Sequence, residues 1–226
     1  ISLPVRILVS IGLTVMIVAL NPTLPDISVI TSFEGVIVGI TEIIIGLSAG
    51  LVLTIFFASA ALAGEKIASS SGLAMATAVD PTSGSSSPVM AQILTLFLLV
   101  IFMSVDGHLA VIRTIIESYE FFPIGSVPNT ETISLAGIDS AGYMFSTAAL
   151  IMLPFAAVLL LINVAIGVIT RSAPTLNLFS FAFPITMMSV FFIVFLSVSI
   201  LGTSFSNLIG DAIFAMQQML GGLIYG

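Results

Sequence analysis

The sequence predicts an all-α fold of integral-membrane type, made of helical hairpins whose helices are kinked or broken. Of its 226 residues, 58% are hydrophobic and 7% are charged, against roughly 25% charged in a soluble domain. The apolar residues form long runs without strand-like alternation, which argues against an outer-membrane barrel. Two of those runs contain a proline, Pro154 and Pro184. Each removes a backbone donor and crowds the preceding turn, so each run is expected to break there or bend back.

The first run, Ile7 to Leu20, follows Arg6 and stops at the loop NPTLPD. It is short for a lipid-spanning helix, which needs about 20 apolar residues. Gly35 to Gly64 is interrupted by one charge, Glu42. At about 1.5 Å per residue it would reach about 45 Å, longer than the hydrocarbon layer of about 30 Å. Val89 to Val105 precedes the tripeptide DGH and an amphipathic piece, LAVIRTIIESYEFF. Residues 123–137 read as a loop, with Pro123, Gly125 and Pro128 as breakers. Ala141 to Thr170 and Leu176 to Leu201 are further apolar runs, separated by RSAPTLN, and Asn207 to Gly226 is a mildly amphipathic tail. No internal repeat of fixed period is present, and the whole chain, 1–226, reads as one domain. Broken backbone at membrane depth is tolerated only where protein or a water-filled cavity surrounds it. These helices are therefore expected to bury themselves against protein partners more than against lipid.

The remaining composition excludes several classes. With no cysteine there is no disulfide framework or thiolate chemistry, and one histidine makes a transition-metal site unexpected. No cofactor is implied. Four Lys and Arg against eleven Asp and Glu argue against nucleic acid, and so few basic residues give no usable positive-inside count. No signal-peptide pattern opens the chain, and Ile1 is read as a start inside the native protein.

Isolated polar residues punctuate the runs. Glu42 is costly in an apolar helix and calls for a cavity, a partner or a counter-charge; an ordinary helix-end or interface role is the blander reading. Glu65 and Lys66 are neighbours that do not face each other on a helix, and they mark where the long run leaves the apolar zone. Asp106 and His108 flank Gly107, and nothing supplies a nucleophile beside them. A helix-ending turn with Gly107 at positive φ is the better expectation. No enzyme reading survives. Arg113 and Glu117 lie one helical turn apart and can pair weakly. Arg171 can meet the last carbonyls of its helix or a lipid headgroup, and Pro174 prevents the helix from continuing. Gly35 and Gly39, then Gly46 and Gly50, are spaced four apart on a helix face, as close helix packing requires.

One stretch differs from its surroundings: SGLAMATAVDPTSGSSSPVM, Ser71 to Met90. Gly72 and Gly84 open backbone conformations closed to other residues, while Pro81 and Pro88 rule out a continuous helix. Seven serines between Ser69 and Ser87 give small polar surface, and Met75 and Met90 are pliable gap-fillers. An exposed flexible connection is the plain alternative.

Several of these features occur together in the order AGE (Ala63–Glu65), VDP (Val79–Pro81), SPV (Ser87–Val89), DGH, PIG (Pro123–Gly125) and RSAPTLN, ending at Asn177. Over nearly the whole chain the sequence resembles the FliR family of flagellar biosynthetic proteins, which is related to the T-subunit of injectisome export gates. The family's first helix looks to be missing. The resemblance implies a subunit of the flagellar type III export gate in the bacterial inner membrane, packed into a hetero-oligomer with FliP-like and FliQ-like subunits. FlhB-like and FlhA-like proteins and unfolded export substrates would be further partners. It further implies a loop, 69–88, that plugs the pore, carried here by Gly72, Leu73, Met75, Val79, Asp80, Pro81, Gly84, Pro88 and Met90. Glu42, Glu65, Lys66, Asp106, Gly107, His108, Arg171, Pro174 and Asn177 are the candidates for structural or coupling roles. An ion-coupled small-solute transporter with a midplane site at the broken helices, or a purely structural membrane subunit, are the competing readings.

Overall fold

A computed structural model describes residues 2–20, 27–71, 89–172 and 178–223. Among them every regular element is a helix: α1 Leu3–Leu20, the short α2 Ile27–Ile30, α3 Phe33–Ser70, α4 Val89–Ser104, α5 Gly107–Phe121, α6 Thr130–Ser172, α7 Leu178–Leu196 and α8 Val198–Gly222. The chain is thus all-α, as its apolar runs predict. Three helices, α3, α6 and α8, are long and apolar enough to cross a membrane. A fourth span arises if α4 and α5, bent by 66° at their junction, count as one. No more than 28% of the residues in the apolar window of α3, α6 or α8 are buried within the chain, so most of that surface is left for lipid or other proteins.

Hydroxyl side chains fit into these apolar helices by bonding locally. Ser10, Thr14, Ser48, Ser59 and Thr95 each donate to a carbonyl three or four residues earlier. No hydroxyl then needs water, which an apolar medium would not supply.

The breaks fall elsewhere than the prolines suggest. Helix α6 runs unbroken through Pro154 for 43 residues, and α7 continues through Pro184. Both rings lie on exposed positions, where each costs a backbone bond but displaces no packed neighbour. Helix α6 also starts well before Ala141. The Oδ1 of Asn129 accepts from the Glu131 N–H at 2.9 Å, a side-chain cap that turns the second half of the expected loop into helix. The sharp break is at Val105–Asp106, and there the residue at positive φ is Asp106, at 55°, not Gly107. Aspartate visits the left-handed region more readily than most side chains. Gly107 serves a different purpose: a Cβ there would run into the Phe102 ring. Asp106→Val is expected to lose about 1–2 kcal/mol through the left-handed backbone, whereas Asp106→Gly keeps full stability. Thermal unfolding of the detergent-purified protein would show this as a midpoint lowered by roughly 2–8 °C for valine alone.

The described residues divide into two compact units. The first takes α1, α2, α3 as far as Leu53, residues 108–138 and the chain from Ile213. Its core draws Ile45, Ala49 and Val52 from α3, Phe122 after α5, and Met216, Met219 and Leu220 from α8. Polar ties sit beside them, with Gln217 donating to Thr114 at 3.2 Å and Thr132 to the Gly222 carbonyl at 3.2 Å.

The second unit comprises Thr54–Gly107 and Asp139–Ala212. Its helices bury stripes at helical spacing: Phe56, Ala60, Ala63 and Ile67 on α3; Met90, Leu94 and Leu98 on α4; Ile151, Phe155, Leu159 and Ile166 on α6; Leu201, Phe205 and Leu208 on α8. That spacing places each set on one face of its helix. Aromatic pairs lock the stripes together, Phe97 against Phe205 at 5.7 Å and Phe56 stacked on Tyr143 at 4.6 Å.

Candidate functional site

Three places in the structure concentrate the features that could carry function. The first is the base of the hairpin formed by α3 and α4. Gly64 is buried, and a Cβ on it would lie 2.5 Å from the Ala91 Cα and 2.7 Å from the Ala91 nitrogen and the Met90 carbonyl oxygen. All three are backbone atoms, so the two helices touch backbone to backbone. Gly64 is less than two turns from the end of α3, and Ala91 is the third residue of α4. The end of α3 and the start of α4 are therefore held together by one backbone clamp. Around it Ala63, Ile67, Met90 and Leu94 are fully buried or nearly so. Ser71 is buried with its hydroxyl on the Ala68 carbonyl at 2.9 Å, and Asn163 of α6 donates to the Ser70 carbonyl at 3.4 Å.

The polar stretch itself, with Gly72, Leu73, Met75, Val79, Asp80, Pro81, Gly84 and Pro88, lies outside the described residues. Met90 is described, and it is a fully buried residue in the first turn of α4. Ser69 and Ser70, expected in the loop, are the last residues of α3.

The second place is a cleft of about 220 Å³ in the first unit, lined by Ile45, Leu53, Val111, Ile115 and Leu220 and by Glu42. The carboxylate of Glu42 accepts from the Tyr119 hydroxyl at 3.4 Å and from the backbone of Gly125. Gly125 has φ 92°, a conformation that favours glycine. The third is a cleft of about 400 Å³ in the second unit, where Tyr143 and Thr147 of α6 face Ser204, Asn207 and Asp211 of α8 near Pro154. Tyr143 donates a hydrogen bond to Asp211. Ser204, Asn207 and Asp211 are spaced three and four apart, along one side of α8.

The other singled-out residues are scattered. Glu65 and Lys66 are exposed at the end of α3, and Arg171 is exposed at the end of α6. Asp106 is exposed and His108 half-buried at the α4–α5 bend; Pro174 and Asn177 lie outside the described residues. Arg113 and Glu117 pair as the spacing predicts, at 2.5 Å. At Gly39, Gly46 and Gly50 an added Cβ would meet no atom within 4 Å, so no close helix approach is seen at these positions among the described residues; Gly35 is half-buried. The glycine that brings helices together is Gly64, which the four-residue spacing does not flag.

The sequence profile described as Bacterial export proteins, family 1, matches residues 1–212. The chain belongs to that family. Among the members of this export family it resembles are the flagellar biosynthetic protein FliR of Escherichia coli K12, 35% identical over 82% of this chain and 71% of the relative, and that of Pectobacterium carotovorum, 38% identical over 79% and 69%. The surface presentation of antigens protein SpaR of Shigella sonnei is 28% identical over 69% and 60%. These relatives are named for flagellar biosynthesis and for the surface presentation of antigens, and they give no support to a small-solute transporter.

Proposed function

We propose that the chain is a subunit of the bacterial flagellar type III protein export gate, that it helps wall the protein-conducting pore, and that its segment 72–88 plugs that pore. The observation that carries this reading is the family match over residues 1–212, which spans the hairpin and the polar segment together. The names of two relatives above 30% identity favour the flagellar apparatus over an injectisome. The physical case is that an unfolded protein must pass while ions do not. A seal of glycine, serine and methionine conforms to irregular walls, and the backbone clamp at Gly64 gives it a fixed mounting.

The location is the inner membrane at the flagellar basal body. FliP-like and FliQ-like subunits cover the exposed apolar helices, with FlhB-like and FlhA-like proteins completing the apparatus. The role is non-enzymatic. The experiment is deletion of the gene in its own bacterium and measurement of flagellar components outside the cell. The expected result is loss of their secretion, restored by a plasmid copy of the full-length protein. Normal secretion after deletion would overturn the proposal. A purely structural subunit would also abolish secretion, and ion permeability of a segment deletion separates the two.

A further inference from the structure

The 220 Å³ cleft in the first unit combines three properties. Its lining is mostly apolar, and it includes the carboxylate-bearing Glu42 and the two glycines Gly46 and Gly50. At both glycines the space beyond the backbone is open for at least 4 Å. No lysine or arginine lines it. Glu42 takes donors only from its own unit, the Tyr119 hydroxyl and the Gly125 backbone, and an ionised carboxylate accepts about four hydrogen bonds. A carboxylate in so apolar a helix calls for a counter-charge, and the chain has only four basic residues against eleven acidic ones.

We infer that this cleft seats an apolar helix of a different subunit, which brings a lysine or arginine to Glu42. The two glycines let the incoming backbone approach closely, as apolar helices do in membranes. The stem of a long basic side chain lies along Ile45, Val111 and Ile115 while its head reaches the carboxylate. An acyl chain would fill the walls but leave the charge unmet, and a second copy of a chain so poor in basic residues is ill suited to supply it. The inference rests on the proposed function only in taking the chain as one subunit of a membrane assembly.

The absence of cysteine from the sequence gives the test a clean background. Ile43→Cys, or Leu47→Cys should the first fail to assemble, both exposed next to the cleft-lining Glu42 and Gly46, is labelled with benzophenone-maleimide in membranes of a secreting strain. The assembly is then irradiated, and the cross-linked peptide is identified by mass spectrometry. The expected product is an apolar helix of another subunit with a lysine or arginine within one turn of the attachment. Glu42→Lys in the same background is expected to cut the yield by about tenfold or more, as loss of a desolvated charge pair does. Replacing that partner residue by glutamate should restore it. Cross-links only to lipid or to a second copy, a partner peptide without a basic residue, a yield unmoved by Glu42→Lys, or no product from either cysteine each overturn the inference. Secretion after gene deletion is read separately, so the export role can fail or stand independently of the cross-link.

Discussion

Gly64→Leu is expected to remove the protein from the membrane and with it all export. The reason is geometric. The first atom of any side chain at Gly64 would sit 2.5 Å from the Ala91 Cα, and no rotamer change relieves a clash with backbone. The helices must separate along the hairpin, which opens the layer of Ala60, Ala63, Ile67, Met90 and Leu94, all fully buried or nearly so. Overpacking by a methyl or two costs about 1–3 kcal/mol, and Gly64→Ala is expected in that range. Leucine adds three further carbons in the same place and loses the burial of the layer, a large part of a typical stability of about 5–15 kcal/mol. Steady-state levels fall several-fold for losses of about 1–2 kcal/mol. Quantitative immunoblotting of membranes, beside secretion, measures both. The control is Gly12→Ala, where the added methyl meets no atom within 4 Å and the level of the protein should not move. Equal levels for Gly64→Leu and wild type would show that the backbone contact does not hold the hairpin.

Much of the fold is legible because apolar runs are a direct record of helices with no water to satisfy their backbones. Ile7 to Leu20, Gly35 to Gly64 and Val89 to Val105 each lie within or nearly within one helix. What misleads is local chemistry with more than one outcome. Proline in a run reads as a break, yet on an exposed face a long helix tolerates the missing bond, as at Pro154. Residues 123–137 look like loop throughout, but Asn129 caps a helix that begins at Thr130; the Asn-Thr-Glu sequence after Pro128 was the available signal. In DGH the turn is readable and its strained residue is not. Aspartate and glycine can both take positive φ, and the ring of Phe102 decides which one must lack a side chain.

The candidate sites are less legible for a different reason. Glu42 stands out as a lone charge, but its hydroxyl donor, Tyr119, is 77 residues away in sequence, and periodicity carries no information about such a meeting. Tyr143 and Asp211 meet across 68 residues, and neither draws attention by itself. The same holds for Gly64. Glycines spaced by four advertise a packing face, whereas a single glycine opposite a backbone does so only once the two helices are placed. Gly46 and Gly50 keep their spacing and their open face, so that pattern says where a neighbour could come close, not that one lies within this chain.

Deleting Thr77 to Ser87 is expected to leave the hairpin folded and make the assembled gate leak ions. The clamp at Gly64 and Ala91, the buried Ser71 and the buried Met90 all lie outside the deletion. The residues left between the helices, Gly72 to Ala76 and Pro88, reach up to about 20 Å, enough to bridge helix ends held by one clamp. A closure favoured by about 3 kcal/mol keeps the passage open roughly 1% of the time, so losing the closed state raises ion flow by about 100-fold. Collapse of the membrane potential in cells carrying the deletion, followed with a voltage-sensitive dye, reads that rise. A same-length scramble of these residues should restore the seal, because compliance and not a particular contact does the work. A same-length run of alternating glutamate and lysine should not. If permeability stays at the wild-type value while the subunits still co-purify, the segment does not close the pore. The export role would then rest on the helices alone.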